Sequence, residues 1–265
     1  IVAKYPLVTT VIAPHAPYTV GTGGLKIVKE VADELAVPVH IHLHETAFEC
    51  EEWEKHNSER PIQTLNKLGL LNDKLLAVHY TQATDEEIKL LADTKTNVIH
   101  CPESNMKLAS GICPISKLVA SGVNVAVGTD GTASNNDLDM FGEIRSAAFL
   151  AKVSSGDAEV IPASKALYMA TMGGAKALGL DKVCGSLTPG KAADIQAVQF
   201  DELETSPMFS CTSHLVYCTG RQQVTDVWVA GKQLLKARKL TTLDESKLLA
   251  KAKGWGEKIS AAAST

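Results

Sequence analysis

Short apolar segments alternate with longer amphipathic segments over residues 8–178, and this alternation constrains the fold more than any other feature. Each short segment is rich in Val, Ile or Leu and is bounded by Gly, Pro, Asp or Thr, which is typical of strands buried in a sheet. Strands are predicted at 8–13, 37–43, 75–79, 97–101 and 123–128. Helices are predicted at 22–36, 58–69, 84–94, 114–121, 138–154 and 163–178. Repeated strand–helix units predict an α/β fold with a parallel sheet covered by helices.

Two architectures have this pattern, an open doubly wound sheet and an eight-stranded barrel. The open sheet predicts a glycine-rich phosphate loop, but the glycines at 21–24 lack the dinucleotide-binding spacing. A barrel needs eight strand–helix units and about 250 residues. The five predicted strands, and a chain that starts without Met, lead us to expect a (β/α)8 TIM barrel whose N-terminal strands are missing. Residues 1–182 would then be the C-terminal part of that barrel.

The pattern changes after residue 182. Residues 185–195 are rich in turn-forming residues, and short strands are predicted near 194–199, 214–218, 224–230 and 233–235. Ala230-Gly231-Lys232 is predicted to form a tight turn between the last two strands. We therefore predict a small antiparallel β module over 183–240. A helix near 244–259 and a short tail would make up residues 241–265.

Charge and composition exclude several classes of function. The net charge is −4, which gives no reason to expect nucleic acid or an anionic membrane as a partner. No apolar run reaches the length of a membrane span. The six cysteines form no Cys-x-x-Cys pair, so reduced thiols in a cytoplasmic protein are expected.

Polar side chains stand where the predicted strands end, and the carboxyl ends of barrel strands are where active sites lie. These side chains are three histidines, one glutamate and one aspartate: His15, His42, Glu45, His79 and Asp130. Each one alone fits a core or capping role, because histidines are often hydrogen-bonded core groups and aspartates often cap helices. Imidazole and carboxylate groups that converge on one place suit a divalent metal such as zinc. Together they predict a metal-dependent hydrolase.

The remaining histidines have other predicted places. His40 shares a face of its strand with His42 and is expected one layer deeper, as a neutral core group. His44 would lie at or past the rim, and its role stays open. His100 ends another strand, where it either lines the pocket or braces a loop. His56 and His214 are predicted to be surface or structural residues.

Several motifs resemble a known family. They are His42-Leu43-His44-Glu45-Thr46, the strand-end His79, the segment 100–108 and Gly128-Thr129-Asp130-Gly131 with the residues up to 136. With 14–18 and 185–195, these motifs resemble the deaminase and chlorohydrolase branch of the amidohydrolase superfamily, which includes the triazine hydrolases. Within that branch the resemblance is strongest to 5-methylthioadenosine/S-adenosylhomocysteine deaminases.

The resemblance implies a fold and an activity. The fold is a (β/α)8 barrel with a small β-sandwich built from both chain ends. The enzyme is a metal-dependent aminohydrolase that acts on the C–N bond of a cyclic amidine and releases ammonia from a purine nucleoside. The metal is zinc, with iron as the alternative, one ion per subunit. We also expect a homo-oligomer in the cytoplasm, with no nucleic-acid or membrane partner.

The resemblance also implies roles for six residues. His42 and Asp130 would bind the metal, and Asp130 would also move a proton of the attacking water. Glu45 would protonate a ring nitrogen, and His79 would hold the attacking hydroxide. His15 would bind a purine nitrogen, and Ser134 would line the substrate pocket together with Glu45.

The chain departs from the family pattern at one point. Members carry a His-x-His pair at the end of the first strand, whereas the only such pairs here are His40/His42 and His42/His44. Three readings stay open: a deaminase of an adenosine derivative; a sister enzyme such as guanine deaminase, cytosine deaminase or a triazine chlorohydrolase; and a scaffold homologue without catalysis. Retention of His42, Glu45, His79 and Asp130 argues against the scaffold.

Overall fold

The computed structural model describes Tyr5 and residues 7–263. Residues 1–4 and 6 of the predicted barrel part, and residues 264 and 265 of the predicted tail, lie outside the described residues. Among the described residues, no helix combines the length and the apolar character that a membrane crossing requires.

A four-stranded parallel sheet lies at the centre of the first part of the chain. Its strands are β1 (Val39–Leu43), β2 (Leu75–His79), β3 (Asn97–His100) and β4 (Val125–Val127), in the order β1-β2-β3-β4. Residues are paired in parallel throughout, for example Leu43 with His79. Because the strands are parallel and adjacent, their carboxyl ends meet at one edge. The predicted parallel sheet and four of the five predicted strands are thus confirmed.

The prediction of a strand at 8–13 is wrong for most of its length. Ile12 alone forms a bridge, parallel to Val39, with its N–H donating to the carbonyl of Pro38. Residues 7–10 are exposed, and among the described residues they pair with no strand. A strand with neither burial nor a neighbour lacks the interactions that hold an inner strand.

Helices cover the outer face of the parallel sheet. In chain order the helices of this part are α1 (Pro17–Leu35), α2 (Ala47–Asn57), α3 (Pro61–Lys67), α4 (Asp85–Thr94), α5 (Pro102–Lys107), α6 (Ile115–Ala120), α7 (Met140–Ser155), α8 (Ala163–Tyr168) and α9 (Gly174–Ala177), with a π turn at Met169–Gly173 between the last two. Buried side chains of the strands, such as Ile41, Leu75 and Val98, pack with Leu91 and Leu118 of the helices in one apolar core. This packing stabilises the helices more than their intrinsic propensity does.

The predicted helices are confirmed with shifted ends, and two further helices escaped prediction. Thr84 caps α4 by accepting the N–H of Glu87, whose side chain accepts the N–H of Thr84 in return. The first helix starts earlier than predicted, at a proline, with a kink at Gly21 where φ is +71°. The missed helices α2 and α5 have weak or short apolar periodicity, so their sequences carry little helical signal.

The second part of the chain contains an antiparallel sheet of β5 (Ile195–Val198), β6 (Val224–Val229), β7 (Lys232–Lys236) and β8 (Lys239–Leu240), in sequential order. Ala230 and Gly231 have φ of +48° and +77° and form the predicted turn between β6 and β7. Short 3₁₀ turns at Leu203–Thr205 and Arg221–Gln223 complete this part. The predicted antiparallel sheet is confirmed, while the boundaries 182/183 and 240/241 stay predictions.

One predicted strand of this part, 214–218, is instead a helix, α10 (Cys211–Tyr217). Ser210 caps it by accepting the N–H of Ser213 at 3.3 Å. Val216 is fully buried, and α10 packs on α7 and α8, where Arg145 donates to the carbonyls of Val216 and Thr219. Tertiary packing therefore overrides the local β propensity of this stretch. The last helix, α11 (Glu245–Ala263), is largely exposed.

Candidate active site and metal centre

Of the five polar side chains that the sequence placed at strand ends, three line one cavity at the carboxyl edge of the parallel sheet, and the other two lie beside them. The cavity has a volume of about 530 Å³, and its lining includes His15, His42 and Asp130. His79 and Glu45 lie directly beside these residues: the Nε2 atom of His79 is 3.7 Å from Glu45 Oε2 and 4.0 Å from Asp130 Oδ2. Three of the five, His42, His79 and Asp130, each offer a ligand atom, and these atoms lie within 4.8 Å of one another.

His42 presents one ring nitrogen to the cavity and uses the other to hold its ring. Its Nδ1 lies 2.6 Å from the backbone carbonyl oxygen of His15, so Nδ1–H donates and Nε2 keeps its lone pair. An imidazole that is oriented by a backbone carbonyl in this way is typical of a metal ligand. The ring also stacks on that of His79, with centroids 5.3 Å apart.

His79 reaches the site because of an unusual backbone conformation. Val78 lines the cavity, so strict alternation along β2 would send the next side chain to the opposite face. The φ of His79 is +73°, in the left-handed region, and that of Tyr80 is +50°. This turn of the backbone brings the His79 ring beside His42, and such conformations concentrate at functional sites.

The tautomer of His79 follows from the hydrogen bond that its ring makes. Nδ1 lies 2.8 Å from the side-chain oxygen of Asn105, so Nδ1–H donates and Nε2 carries a lone pair. Nε2 is buried and has no hydrogen-bond partner among the described residues. Burial lowers the pKa of His79, while the nearby Glu45 carboxylate opposes the shift. The site therefore holds a neutral imidazole with a free acceptor atom.

Asp130 is held as a carboxylate. Burial acts to raise its pKa, but hydrogen bonds from the Ser104 hydroxyl and the Gly131 N–H outweigh burial and lower the pKa below its ordinary value. The Ser104 Oγ to Asp130 Oδ2 distance is 2.7 Å, and the Gly131 N to Oδ1 distance is also 2.7 Å. Asp130 has a φ of +63°, so its backbone, like that of His79, adopts the left-handed conformation after a strand.

Glu45 lies just beyond β1, and its surroundings fix both its backbone and its side chain. The Ser110 hydroxyl donates to Oε1 at 3.0 Å, and the Thr81 hydroxyl donates to the Glu45 carbonyl at 2.6 Å. The Glu45 N–H donates to the buried carboxylate of Glu49 at 2.9 Å. The Glu45 carboxylate therefore faces His79 from a fixed position and can exchange protons with a group in the cavity.

Two of the three predicted substrate-contact residues, His15 and Ser134, lie at the margin of the site. His15 is exposed at the cavity wall, where Nδ1 lies 2.9 Å from the hydroxyl of Thr19. Ser134 lies in the turn after β4, where its N–H donates to the Gly131 carbonyl and its side chain contributes to the lowered pKa of Asp130. Their predicted substrate contacts stay predictions.

The other histidines divide into a pocket residue and buried structural residues. His40 lines the cavity, and burial lowers its pKa, followed by the charges of His42 and His79. His44 lies fully buried rather than at the rim, stacks on Tyr80 and accepts the N–H of Ile62, the second residue of α3. It is buried because its φ is +54°, which turns its side chain away from the site.

His100 is also buried, with neither ring nitrogen hydrogen-bonded among the described residues, and burial lowers its pKa to about 3. His100 therefore stays neutral at any physiological pH. His56 is exposed on α2, and His214 lies partly buried on α10, as the surface and structural predictions required.

Sequence similarity agrees with this geometry. The profile of the Amidohydrolase family matches residues 3–234. The chain belongs to the amidohydrolase family. A curated amidohydrolase named 5-methylthioadenosine/S-adenosylhomocysteine deaminase, from Teredinibacter turnerae, is 50% identical over 258 residues, which are 97% of this chain and 58% of that protein. A protein of the same name from Saccharophagus degradans is 43% identical over 255 residues, 96% of this chain and 57% of that protein.

Solved amidohydrolase structures share the fold. The crystal structure of an adenosine deaminase from Xanthomonas campestris with bound zinc superposes with a TM-score of 0.96 at 49% identity, covering 98% of this chain and 59% of that one. A zinc-complexed atrazine chlorohydrolase from Arthrobacter aurescens has a TM-score of 0.82 at 24% identity, covering 88% of this chain and 52% of that one, which shows a common fold alone. The chain thus spans less than two thirds of the relatives that it matches, and the predicted family is confirmed.

The donor set of this amidohydrolase fits a divalent ion. Two imidazole nitrogens and a carboxylate oxygen are ligands that zinc accepts. The unpartnered Nε2 of His79, buried next to Asp130, is the kind of atom that an ion or a polar ligand would satisfy.

Several residues that shape the site were not identified from the sequence. Ser104, Asn105 and Ser110 each bond one of the site side chains, and Thr81 and Glu49 hold the backbone of Glu45. The motif 100–108 contains two of the three, Ser104 and Asn105, so the family pattern was the only available signal.

Proposed function

We propose that this amidohydrolase is a hydrolytic deaminase of an adenosine derivative, of the 5′-methylthioadenosine or S-adenosylhomocysteine type, that works with one divalent ion, zinc. The observation that carries the proposal is the cluster of His42, His79 and Asp130 with the Glu45 carboxylate 3.7 Å from His79. The names of relatives at up to 50% identity support the substrate class. A nucleoside has both the ring amidine and the size that a cavity of about 530 Å³ suits.

The same proposal includes the architecture around the site. Residues 1–182, with the parallel sheet, would be the C-terminal part of a (β/α)8 barrel, with residues 183–240 in a β-sandwich module and residues 241–265 as a terminal helix and tail. The likeness to barrel-type relatives supports this arrangement. We further propose a homo-oligomer that acts in the cytoplasm on a small molecule, without nucleic acid.

His42 and Asp130 would hold the ion through Nε2 and a carboxylate oxygen, with His79 beside them. A bound divalent ion lowers the pKa of water from about 15.7 towards 7, which makes hydroxide available at neutral pH. The bound zinc of the adenosine deaminase at 49% identity supports zinc as the ion.

The side chains of the chain itself would divide the proton transfers. Glu45 is fixed by Ser110 and, in its protonated form, would give a proton to the ring nitrogen next to the amino-bearing carbon, which makes that carbon electrophilic. It would regain a proton from the new hydroxyl group on that carbon as ammonia leaves. The neutral His79, with its free Nε2, would accept a hydrogen bond from the attacking water and orient it. Asp130, held ionised, would accept the water's proton and pass it to the leaving ammonia.

Ammonia release from a panel of substrates tests the proposal. The natural-length protein, with its zinc content measured, is assayed on 5′-methylthioadenosine, S-adenosylhomocysteine, adenosine, guanine and cytosine. We expect kcat/KM for an adenosine derivative to exceed that for guanine or cytosine by at least about 100-fold, a discrimination that the shape of a substrate pocket alone can provide. Chelation of the metal should abolish the reaction, and added zinc should restore it.

The panel also decides between the readings. A higher rate on guanine or cytosine would assign the chain to a sister activity of the family. No ammonia from any substrate, with zinc bound, would favour a scaffold without catalysis.

A further inference from the structure

One short segment, which follows β3, contacts a site side chain from each of the other three strands of the parallel sheet. It comprises residues 102–111, between β3 and α6, and we call it the β3–α6 segment. It contains α5 and three polar side chains that are almost completely buried, with exposed fractions of 0% for Ser104, 1% for Asn105 and 6% for Ser110. A buried polar side chain is costly unless it is hydrogen-bonded, so each requires a partner.

Each of these three side chains has a different site residue as its partner. Ser104 donates to Asp130 after β4 at 2.7 Å. The Asn105 oxygen accepts from His79 at the end of β2 at 2.8 Å. Ser110 donates to Glu45 after β1 at 3.0 Å.

The β3–α6 segment is itself fixed on the strand ends. The Thr81 hydroxyl, which bonds the Glu45 carbonyl, also lies 3.2 Å from the Ser110 carbonyl. Gly111 follows with φ of +136°, and a Cβ there would lie 2.7 Å from the same hydroxyl, so only glycine allows this approach. Lys107 bonds the Ala133 carbonyl at 2.8 Å on the opposite side, in the turn after β4.

The three bonds leave the reactive atoms free. The bond from His79 uses Nδ1, so Nε2 keeps its lone pair, 3.7 Å from Glu45 Oε2 and 4.0 Å from Asp130 Oδ2. The bonds to Asp130 and Glu45 each use one site of a carboxylate that has about four, which leaves acceptor capacity for an ion or a proton. The segment therefore restricts the orientation of three side chains and leaves their remaining acceptor sites free.

We propose that the β3–α6 segment is a positioning element: Ser104, Asn105 and Ser110 orient Asp130, His79 and Glu45, one bond each, without touching the substrate. The roles of the three oriented residues rest on the proposed function. The positioning can be tested apart from the catalytic rate, because the bond to Asp130 should also change the affinity for the metal.

Zinc affinity, measured with no substrate present, tests the hydrogen bond from Ser104 to Asp130. Ser104→Ala in the natural-length protein should raise the dissociation constant for zinc by roughly 10- to 100-fold, the usual effect of removing a bond to a metal ligand. Ser121→Ala, at an exposed serine at the end of α6, is the matched control and should leave the constant unchanged. An unchanged constant in the Ser104 variant, with a folded protein by circular dichroism, would overturn the proposal.

A double-mutant cycle tests the hydrogen bond from Ser110 to Glu45. Ser110→Ala should lower kcat by about tenfold with KM within about twofold, and should have almost no effect in a Glu45→Gln background, since it acts only through that carboxylate. The same factor in both backgrounds would show that Ser110 acts elsewhere, against the proposal. A purely structural role would lower the rate equally in both.

Two substitutions of Asn105 test the hydrogen bond from His79 to its side-chain oxygen. Asn105→Asp keeps the oxygen that accepts from His79, whereas Asn105→Leu removes it at similar volume. We expect the Leu variant to lose at least tenfold more kcat than the Asp variant, and equal losses would contradict positioning. If the unmutated protein releases no ammonia at all, the proposed function has failed, and the zinc measurement on Ser104→Ala still decides whether the segment positions the site.

Discussion

The parallel and antiparallel sheets of this chain differ in how much they bury. Every residue of β2 is buried, and β1 alternates between buried and partly buried positions. None of the residues in β5, β6, β7 or β8 is buried. Since apolar burial is the main source of stability, the parallel half holds most of the core that stabilises the fold.

The two halves also differ in their charged groups. The parallel half buries carboxyl groups, and burial raises the pKa of Glu49 to about 7 and that of Glu143 to about 8. The charged residues of β7 and β8, such as Lys232, Lys236 and Lys239, are exposed. Chemistry and pH dependence are therefore expected from the parallel half, and the antiparallel half is expected to respond weakly to substitution.

The largest effect should come from the Glu45 carboxyl. Glu45→Gln keeps the shape but removes the acid–base group, so kcat should fall by roughly 10²–10⁴-fold while the zinc content stays nearly intact. Steady-state ammonia release and metal analysis measure the two. Glu51→Gln, at an exposed glutamate of α2, is the control. Full activity of Glu45→Gln would contradict the proposed role of Glu45. It would also contradict the expectation that the chemistry depends on this carboxyl group of the parallel half.

A matched pair of leucines tests the difference in burial. Leu75→Ala in β2, where the side chain is 1% exposed, should lower the free energy of unfolding by about 2–5 kcal/mol. Leu240→Ala in β8, where 38% is exposed, should cost less than about 1 kcal/mol. Urea denaturation measures both. Equal costs would show that the antiparallel sheet is covered in the natural-length protein.

Glu143 should make stability depend on pH. Its pKa rises from 4.5 to about 8 on folding, through burial, so between these values the folded state binds a proton that the unfolded state releases. Stability is therefore highest at low pH in this window and falls as pH rises, by up to about 1.4 kcal/mol per pH unit. Glu49 acts in the same direction up to about pH 7.

Glu143→Gln should flatten this dependence, as measured by urea denaturation at several values between pH 5 and pH 8.5. The exposed Glu86→Gln in the first turn of α4 is the control and should keep the slope of the unmutated protein. A slope that is unchanged in Glu143→Gln would contradict the raised pKa.

A small effect is also expected in the turn of the antiparallel sheet. Gly231 has a φ of +77°, so Gly231→Ala should destabilise the protein by about 1 kcal/mol, although the nearest atom to an added Cβ is 4.0 Å away. Gly231→Asn should cost less, because asparagine tolerates this conformation. Thermal unfolding compares the two, and equal effects would point to sterics rather than to φ.

The sequence by itself determined the four strands of the parallel sheet, most of the helices that cover it and the identity of the chemical groups. Apolar runs such as 75–79 predicted buried strands because a buried strand must be apolar along its length. Thr84 and Glu87 predicted the start of α4 because a capping box is a local interaction. The strand-end positions of His42 and Asp130 were likewise readable, since the carboxyl ends of parallel strands share one edge.

Only the tertiary structure decided which polar groups face the site and what holds them. His42 and His44 are two residues apart, yet a positive φ at His44 turns its ring into the core, and a positive φ at His79 turns that ring towards His42. Likewise, 214–218 became a helix through packing on α7 and α8. The bonds from Ser104, Asn105 and Ser110 join residues 26 to 65 positions apart. Backbone conformation and long-range contacts depend on the assembled neighbours, and no local pattern of residues encodes them.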